Sequence, residues 1–304
     1  MSISKNAAMN TYQNHPLAGA VDLDSAFNKL WSFYKKYFIG LYLISVVGSL
    51  LSSVFVAGID LASIQATTDP AEMLEKMKGF AGPYALTILV SLVISVLLHA
   101  WVLEKPAGEP GFIQSLLRMS LVALVPYLVA MIIFGILTVM LVSVGIVLLV
   151  LPGLFAIFYM VTVGLFIMPV ALAETRNPME MLTRSFRLAH RNLWPNMGWV
   201  VVVILIMVVV AMVLGALVML PFTGSFIRSI TNPEEAGAML EMTRNPIYIG
   251  LSALTGGLVT PVMPILAFLL YFRNRAEEVV IEVTTENDNA VKVEDLYPPM
   301  PGRE

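Results

Sequence analysis

Long apolar runs broken by short polar stretches make up most of the chain, and the length of those runs sets the elements. Windows of spanning length fall at Phe38–Ala57, Tyr84–Leu103, Leu116–Val142, Leu154–Ala173, Trp199–Leu220 and Tyr248–Phe272, which predicts six membrane-crossing helices. Between Arg118 and Glu174 there is no Asp, Glu, Lys, Arg or His. As helix at about 1.5 Å per residue that run would extend roughly 80 Å, against about 30 Å of hydrocarbon. It must therefore hold two crossings and a turn, expected around Ser143 to Gly153, where Gly145, Pro152 and Gly153 interrupt helix. The expected fold class is all-α, a polytopic membrane protein.

Two shorter stretches carry a helical stripe instead of a uniform apolar run. Phe27, Leu30, Trp31, Tyr34 and Phe38 share one face, with Lys29 and Lys36 opposite and Asp24 placed as the N-cap. Leu182, Phe186, Ala189 and Leu193 form the second stripe, with Arg184, Arg187 and Arg191 turned away from it. Asn177 can cap that helix, Pro178 suits its first turn, and Glu180 completes a capping box. Both stretches are expected to lie in the membrane interface.

Three segments follow from the pattern: a polar leader (1–23), a membrane domain (24–275) and an acidic tail (276–304). The leader has neither an apolar core nor a small-residue cleavage site, so no cleaved signal peptide is expected. The tail sets Glu277, Glu278, Glu282, Glu286, Asp288, Glu294, Asp295 and Glu304 against Lys292 and Arg303, and is expected to be disordered. Within the membrane domain, a shift of 163 positions places Leu30 and Trp31 on Leu193 and Trp194. The same shift places Thr68, Asp69, Pro70 and Glu72 on Thr231, Asn232, Pro233 and Glu235, and Pro83 on Pro246. That suggests a parallel duplication, with repeat-like units 24–104, 109–175 and 177–275, the middle one lacking an outer loop.

Charge orients the spans. One side carries Lys29, Lys35, Lys36, Lys105, Arg118, Arg176, Arg184, Arg187, Arg191, Arg273 and Arg275, whereas the other has only Lys76, Lys78, Arg228 and Arg244 among seven acids. Basic flanks stay inside, so both termini are expected to be cytoplasmic. Composition agrees: 58% of residues are hydrophobic and 13% charged, where a soluble domain has about a quarter charged. A net charge of -3, with basic residues kept beside spans, argues against a nucleic-acid partner. Absence of cysteine excludes disulfides, thiolate metal sites and a cysteine nucleophile.

Candidate chemistry is sparse. No ionisable residue lies near the centre of a window, and His15, His99 and His190 build no HExxH motif. There is no GxSxG elbow and no glycine-rich phosphate loop, so no catalytic residue, metal or cofactor is expected. An enzyme at the inner rim would require His99, Glu104 and Glu174 to converge. Lys35, Lys36, Arg184, Arg187 and Arg191 are candidate lipid-headgroup contacts, each worth on the order of 1 kcal/mol near an anionic leaflet. Pro126, Pro169, Pro261 and Pro264, with Gly256 and Gly257, are candidate helix breaks that could offer backbone groups to a substrate. Gly48 to Ser52, Ala211 to Gly215 and Ser252 to Gly256 have the spacing of packing seams.

The run LPGLFAIFYMVTVGLFIMPVALAE from Leu151, followed by RNPMEMLTRSFRLAHRNLW from Arg176, resembles a bacterial family. It is similar to the multi-spanning membrane domain attached to some glycerophosphodiester phosphodiesterases, and to related stand-alone inner-membrane proteins of unknown function. The matching features are the Leu151-Pro152-Gly153 start, the span ending in Pro169 and Glu174, and the Asn-Pro-led helix with Arg184-Ser185. The resemblance implies a bacterial cytoplasmic membrane and a link to envelope lipids. The sequence holds no phosphodiesterase domain, so hydrolytic activity does not come with it.

Two functions fit these features. The leading one is a non-enzymatic scaffold or lipid-interacting component of the bacterial inner membrane, with lipids and other membrane proteins as partners. The other is a permease for a small or lipidic substrate, its path lined by the proline-broken fourth and sixth spans. A polar cavity reaching the midplane favours the permease, and a solid bundle with basic helices flat on the leaflet favours the scaffold.

Overall fold

The computed structural model describes residues 14–19, 22–57, 69–108, 111–224, 227, 242 and 244–289. Among these the order is α1 (Leu23–Ala57), α2 (Pro70–Glu104), a 3-10 turn (Lys105–Ala107), α3 (Phe112–Leu148), α4 (Val150–Ala173), α5 (Pro178–Arg191), α6 (Leu193–Met219), a second 3-10 turn (Leu220–Phe222), α7 (Pro246–Val259) and α8 (Val262–Asn289). Six segments are long and apolar enough to cross a membrane: α1, α2, α3, α4, α6, and α7 with α8 as one broken crossing. No strand occurs among the described residues. The chain is all-α with the span count that its apolar windows predict.

Helix limits follow local chemistry more closely than hydropathy. α1 is capped by Asp22 rather than Asp24: Asp22 Oδ1 accepts the Ser25 N–H at 2.7 Å, and Ser25 Oγ accepts the Asp22 N–H at 3.3 Å. The Ser25 hydrogen bonds hold the Asp22 carboxyl below its ordinary range. The expected surface helix and first span are one helix, kinked at Tyr37 (φ −109, ψ 15). The face turned to the protein is Ala26, Leu30, Phe33 and Tyr34, while Phe27 and Trp31 point outward. Asp69 Oδ1 caps α2 through the Ala71 N–H at 2.9 Å, with Pro70 in the first turn.

The turn between the third and fourth spans is much shorter than expected. α3 runs to Leu148, α4 starts at Val150, and Leu149 alone is extended. Two glycines permit this: a Cβ on Gly145 would come within 2.8 Å of Gly153 Cα, so the backbones cross almost in contact. Pro126 and Pro169, expected as breaks, lie inside continuous helices. Each removes one N–H from the ladder, and neighbouring helices keep the axis on course; Pro169 is fully enclosed. Pro261 does mark a break, between Val259 and Val262, and Pro264 falls in the first turn of α8. Around it, Thr260 N–H bonds Gly256 O at 3.0 Å and Tyr34 Oη donates to Leu258 O at 2.8 Å.

α8 lies at the centre, packed on α4, α2 and α1, with every side chain from Ile265 to Leu270 at most 1% exposed. A helix apolar all round belongs in an interior. Lipid tails are as apolar as leucine, so close packing rather than escape from water holds it there. Small residues supply the closeness along α1: a Cβ on Gly40 would strike Trp101, one on Gly48 would strike Ile94, and one on Gly257 would strike Val46. Large apolar residues point outward at Ile39, Leu43, Val47 and Leu51, the stripe of a lipid-facing surface.

Two further expectations meet the structure differently. Under the 163-residue shift, Pro83 sits inside α2 whereas Pro246 begins α7, and Asn192 ends a helix where Lys29 lies mid-helix. The helix limits thus lend the duplication no support, and Thr231 to Glu235 lie outside the described residues. The tail expected from Ala276 instead begins as helix, since α8 continues to Asn289. Its first acids are held by arginines.

Candidate functional site

Polar side chains gather in two places. The first is the arginine-bearing end, where α4, α5 and α8 meet. Asn177 caps α5 by accepting from Met179 N–H at 3.0 Å and Glu180 N–H at 3.3 Å. Glu180 closes the box through a relay: Thr175 Oγ1 donates to Glu180 Oε2 at 2.7 Å and accepts the Asn177 N–H at 3.2 Å. This fixes α5 with Met181, Leu182, Arg184, Ser185, Leu188 and Ala189 buried.

Arg184 is therefore turned inward. Its Nε donates to Glu174 Oε2 at 2.6 Å and its Nη1 to Glu278 Oε1 at 2.6 Å. Tyr271 Oη donates to Glu174 Oε1 at 2.9 Å, and Arg275 pairs with both Glu174 and Glu278. Although burial opposes it, the Glu278 and Glu174 hydrogen bonds push the Arg184 guanidinium further up. Arg191 Nη2 donates to Glu277 O at 3.1 Å. Beside it Asn274 Nδ2 donates to Asn196 Oδ1 at 3.0 Å and to Leu270 O at 2.8 Å. Four arginines (184, 191, 273, 275) thus face three glutamates (174, 277, 278), which is why the acidic run stays folded.

Of the predicted headgroup contacts, Arg184 and Arg191 are committed to this cluster. Lys35, Lys36 and Arg187 remain exposed. The lysines sit over rings, Lys35 Nζ 5.7 Å from Trp31 and Lys36 Nζ 5.3 Å from Tyr37. His99, Glu104 and Glu174 do not converge: Glu104 accepts from Ser115, Glu174 belongs to the cluster, and His99 lines the second polar region.

That second region is a cavity of about 600 Å³ between α1, α2, α6 and the broken α7/α8 crossing. Ser45, Ser49, Ser52 and Ser53 line it from α1, Ser91, Ser95 and His99 from α2, and Ser252 and Thr260 from α7 and the break. None of the described lining residues is charged. The contacts of Gly40 with Trp101 and Gly48 with Ile94 set an antiparallel register, which puts Ser45 level with Ser95 and His99, and Ser52 with Ser91. Exposure rises along that direction: Ser45 is 1% and His99 8% exposed, Ser52 and Ser53 are half-buried, and Ser91 is exposed. Among the described residues the lining is most enclosed at Ser45 and His99, toward the arginine-bearing end, and least enclosed at Ser91.

At the His99 end lie Leu41, Leu98 and Phe268, each at most 1% exposed, with the Phe268 ring 6.1 Å from that of His99. Below them the leader docks, a placement that the polar composition of the first residues concealed. His15 Nε2 donates to Val102 O at 3.0 Å and its Nδ1 accepts the Leu17 N–H at 3.2 Å. Its ring lies 4.7 Å from that of Phe272, and Leu17 is fully buried. Burial pushes the His15 pKa down to about 4 despite the Val102 bond, so the imidazole is neutral at pH 7.

At the floor, hydrogen bonding is incomplete. His99 Nδ1 lies 2.7 Å from Ser95 O, and a carbonyl only accepts, so Nδ1 carries the proton and Nε2 is a bare acceptor. Ser45 Oγ is buried with no partner. Thr162 and Ser185 bond back to their own helix, to Phe158 O and Met181 O, each at 2.7 Å, whereas Ser120 Oγ, outside the cavity, is also buried without a partner. Among the described residues no three His, Asp or Glu group to hold a metal. No protein-family model, curated protein or solved structure matches the chain.

Proposed function

We propose that this chain is a permease-type protein of the bacterial inner membrane that admits a small neutral polar molecule, or the polar head of a lipid, between its first, second and sixth spans. The observation that carries this reading is the hydroxyl-lined cavity, whose described lining is uncharged, most buried at Ser45 and His99 and most exposed at Ser91. Its volume falls in the range of small-molecule sites, about 300–1,000 Å³. Support also comes from the crossing broken at Pro261, a feature transporters use to place binding groups at depth. The Lys and Arg distribution supports a cytoplasmic position for both termini, the arginine cluster and His15, and with it an outward-facing cavity. The inner-membrane assignment rests on the resemblance of the segment from Leu151 to Trp194. No chemical step is assigned to the protein.

A scaffold or lipid-binding role is the second reading, favoured by the exposed Lys35, Lys36 and Arg187 beside Trp31 and Tyr37. Membrane lipids and other membrane proteins would be its partners. The chain has no cysteine, so Ser49→Cys gives a single label site. A membrane-impermeant maleimide added to intact cells should modify it. Failure to react until the protein is denatured would discard the permease and leave the scaffold.

A further inference from the structure

We infer that the cavity recognises an uncharged, hydroxyl-bearing group, of polyol or sugar type, with His99 Nε2 as the fixed acceptor and Ser45 Oγ beside it; this rests on the permease reading. Three observations point there. A charged ligand would meet no opposite charge among the described lining residues, all of which are uncharged, and the Arg184–Glu278 cluster is not part of that lining. A purely apolar ligand would leave the floor unsatisfied, since the Nε2 lone pair and the Ser45 hydroxyl have no described protein partner. Serine hydroxyls both donate and accept, so only a ligand that does the same matches a wall carrying Ser49, Ser52, Ser91 and Ser95.

The spacing is part of the design. Ser91, Ser95 and His99 recur every fourth residue on α2, and Ser45, Ser49 and Ser53 do so on α1, which gives each helix a polar ladder along one face. A ligand hydroxyl could exchange partners rung by rung between the open end and the floor. His99 ends the α2 ladder and is its one site that only accepts.

The test uses the full chain carrying Ser49→Cys in phosphatidylcholine proteoliposomes, with mannitol, cationic glucosamine and anionic gluconate as probes. At ten times its dissociation constant, mannitol should slow maleimide labelling by about tenfold, while the two charged compounds leave the rate unchanged. His99→Phe should abolish protection, with its fold checked separately by monodispersity in detergent. His99→Gln should retain protection, because its amide can donate to Ser95 O and accept from the ligand. A monoglycosyl diacylglycerol in the bilayer is run in parallel: protection by it alone assigns the hydroxyls to a lipid head, and protection by mannitol alone assigns them to a free solute. Equal protection by charged and neutral probes, or none by any neutral one at a cysteine that labels, overturns the inference. A cysteine that never labels overturns the permease reading itself.

Discussion

At the arginine-bearing end, Arg184 closes on Glu174 and Glu278, Tyr271 takes up a remaining carboxylate oxygen, and Asn274 ties into Asn196. Deeper in the same bundle, Ser45 and the Nε2 of His99 have no described partner, and the hydroxyls around them enclose a space. Both regions are polar. The cluster is charged, and each of its arginines is paired with a glutamate even though the Nε atoms of Arg191 and Arg273 are buried without a hydrogen bond; the described lining of the cavity is uncharged, and Ser45 Oγ there has no partner. Paired charge fixes one arrangement of helices, whereas neutral polar groups that face a space inside a membrane can take up a ligand.

That contrast is open to attack by substitution. Removing the cluster's central cation should have the largest effect: Arg184→Met leaves Glu174 and Glu278 partly uncompensated and should cost about 3–5 kcal/mol. Denaturant unfolding in detergent measures it, and a loss near zero would mean that the cluster does not hold α5 to α8. Next comes His15. Its folded pKa of about 4 lies below the unfolded 6.5, so the unfolded chain binds the proton first as pH falls. The contribution is intact above pH 7 and is lost through the window from 6.5 to 4, up to about 3 kcal/mol. A comparison of wild type with His15→Asn across that window isolates it, and parallel pH profiles would refute the burial of His15.

Hydroxyl deletions sharpen the contrast directly. Ser185→Ala removes a hydroxyl bonded to Met181 O and should cost about 1 kcal/mol. Ser45→Ala removes a buried hydroxyl with no partner and should be neutral or stabilising by up to about 1 kcal/mol in the absence of ligand. Thermal melts of the two variants side by side decide it, and a shared loss would remove the distinction between satisfied and waiting polar groups. Smallest of all, Arg187→Ala on the exposed face of α5 should stay within about 0.5 kcal/mol of wild type.

Much of the fold was legible in the apolar windows, because bilayer thickness converts length directly into crossings. Boundaries were less so. Leu149 serves as the whole turn because Gly145 and Gly153 touch, a contact between residues that pattern alone left inside a longer loop. The inward turn of Arg184 was hidden because a basic stripe on an amphipathic helix reads as headgroup-facing until its partners are known, and Glu278 lies 94 residues away. Charge likewise placed Glu277 and Glu278 in a solvated tail, where pairing keeps them in α8. The cavity did leave a trace, in serines recurring every fourth residue on α1 and α2. The same spacing describes a packing seam, and Gly48 shows that α1 contains both.

The proposal that the cavity faces outward is tested most directly by a single-cysteine scan along α1 in right-side-out vesicles, with an impermeant maleimide outside. Ser53→Cys and Ser49→Cys should react, Ser45→Cys more slowly, and the lipid-facing Leu43→Cys and Val47→Cys not at all. Equal reactivity on the two faces of α1, or labelling of Ser45→Cys only from the side that carries Arg187, would contradict the account.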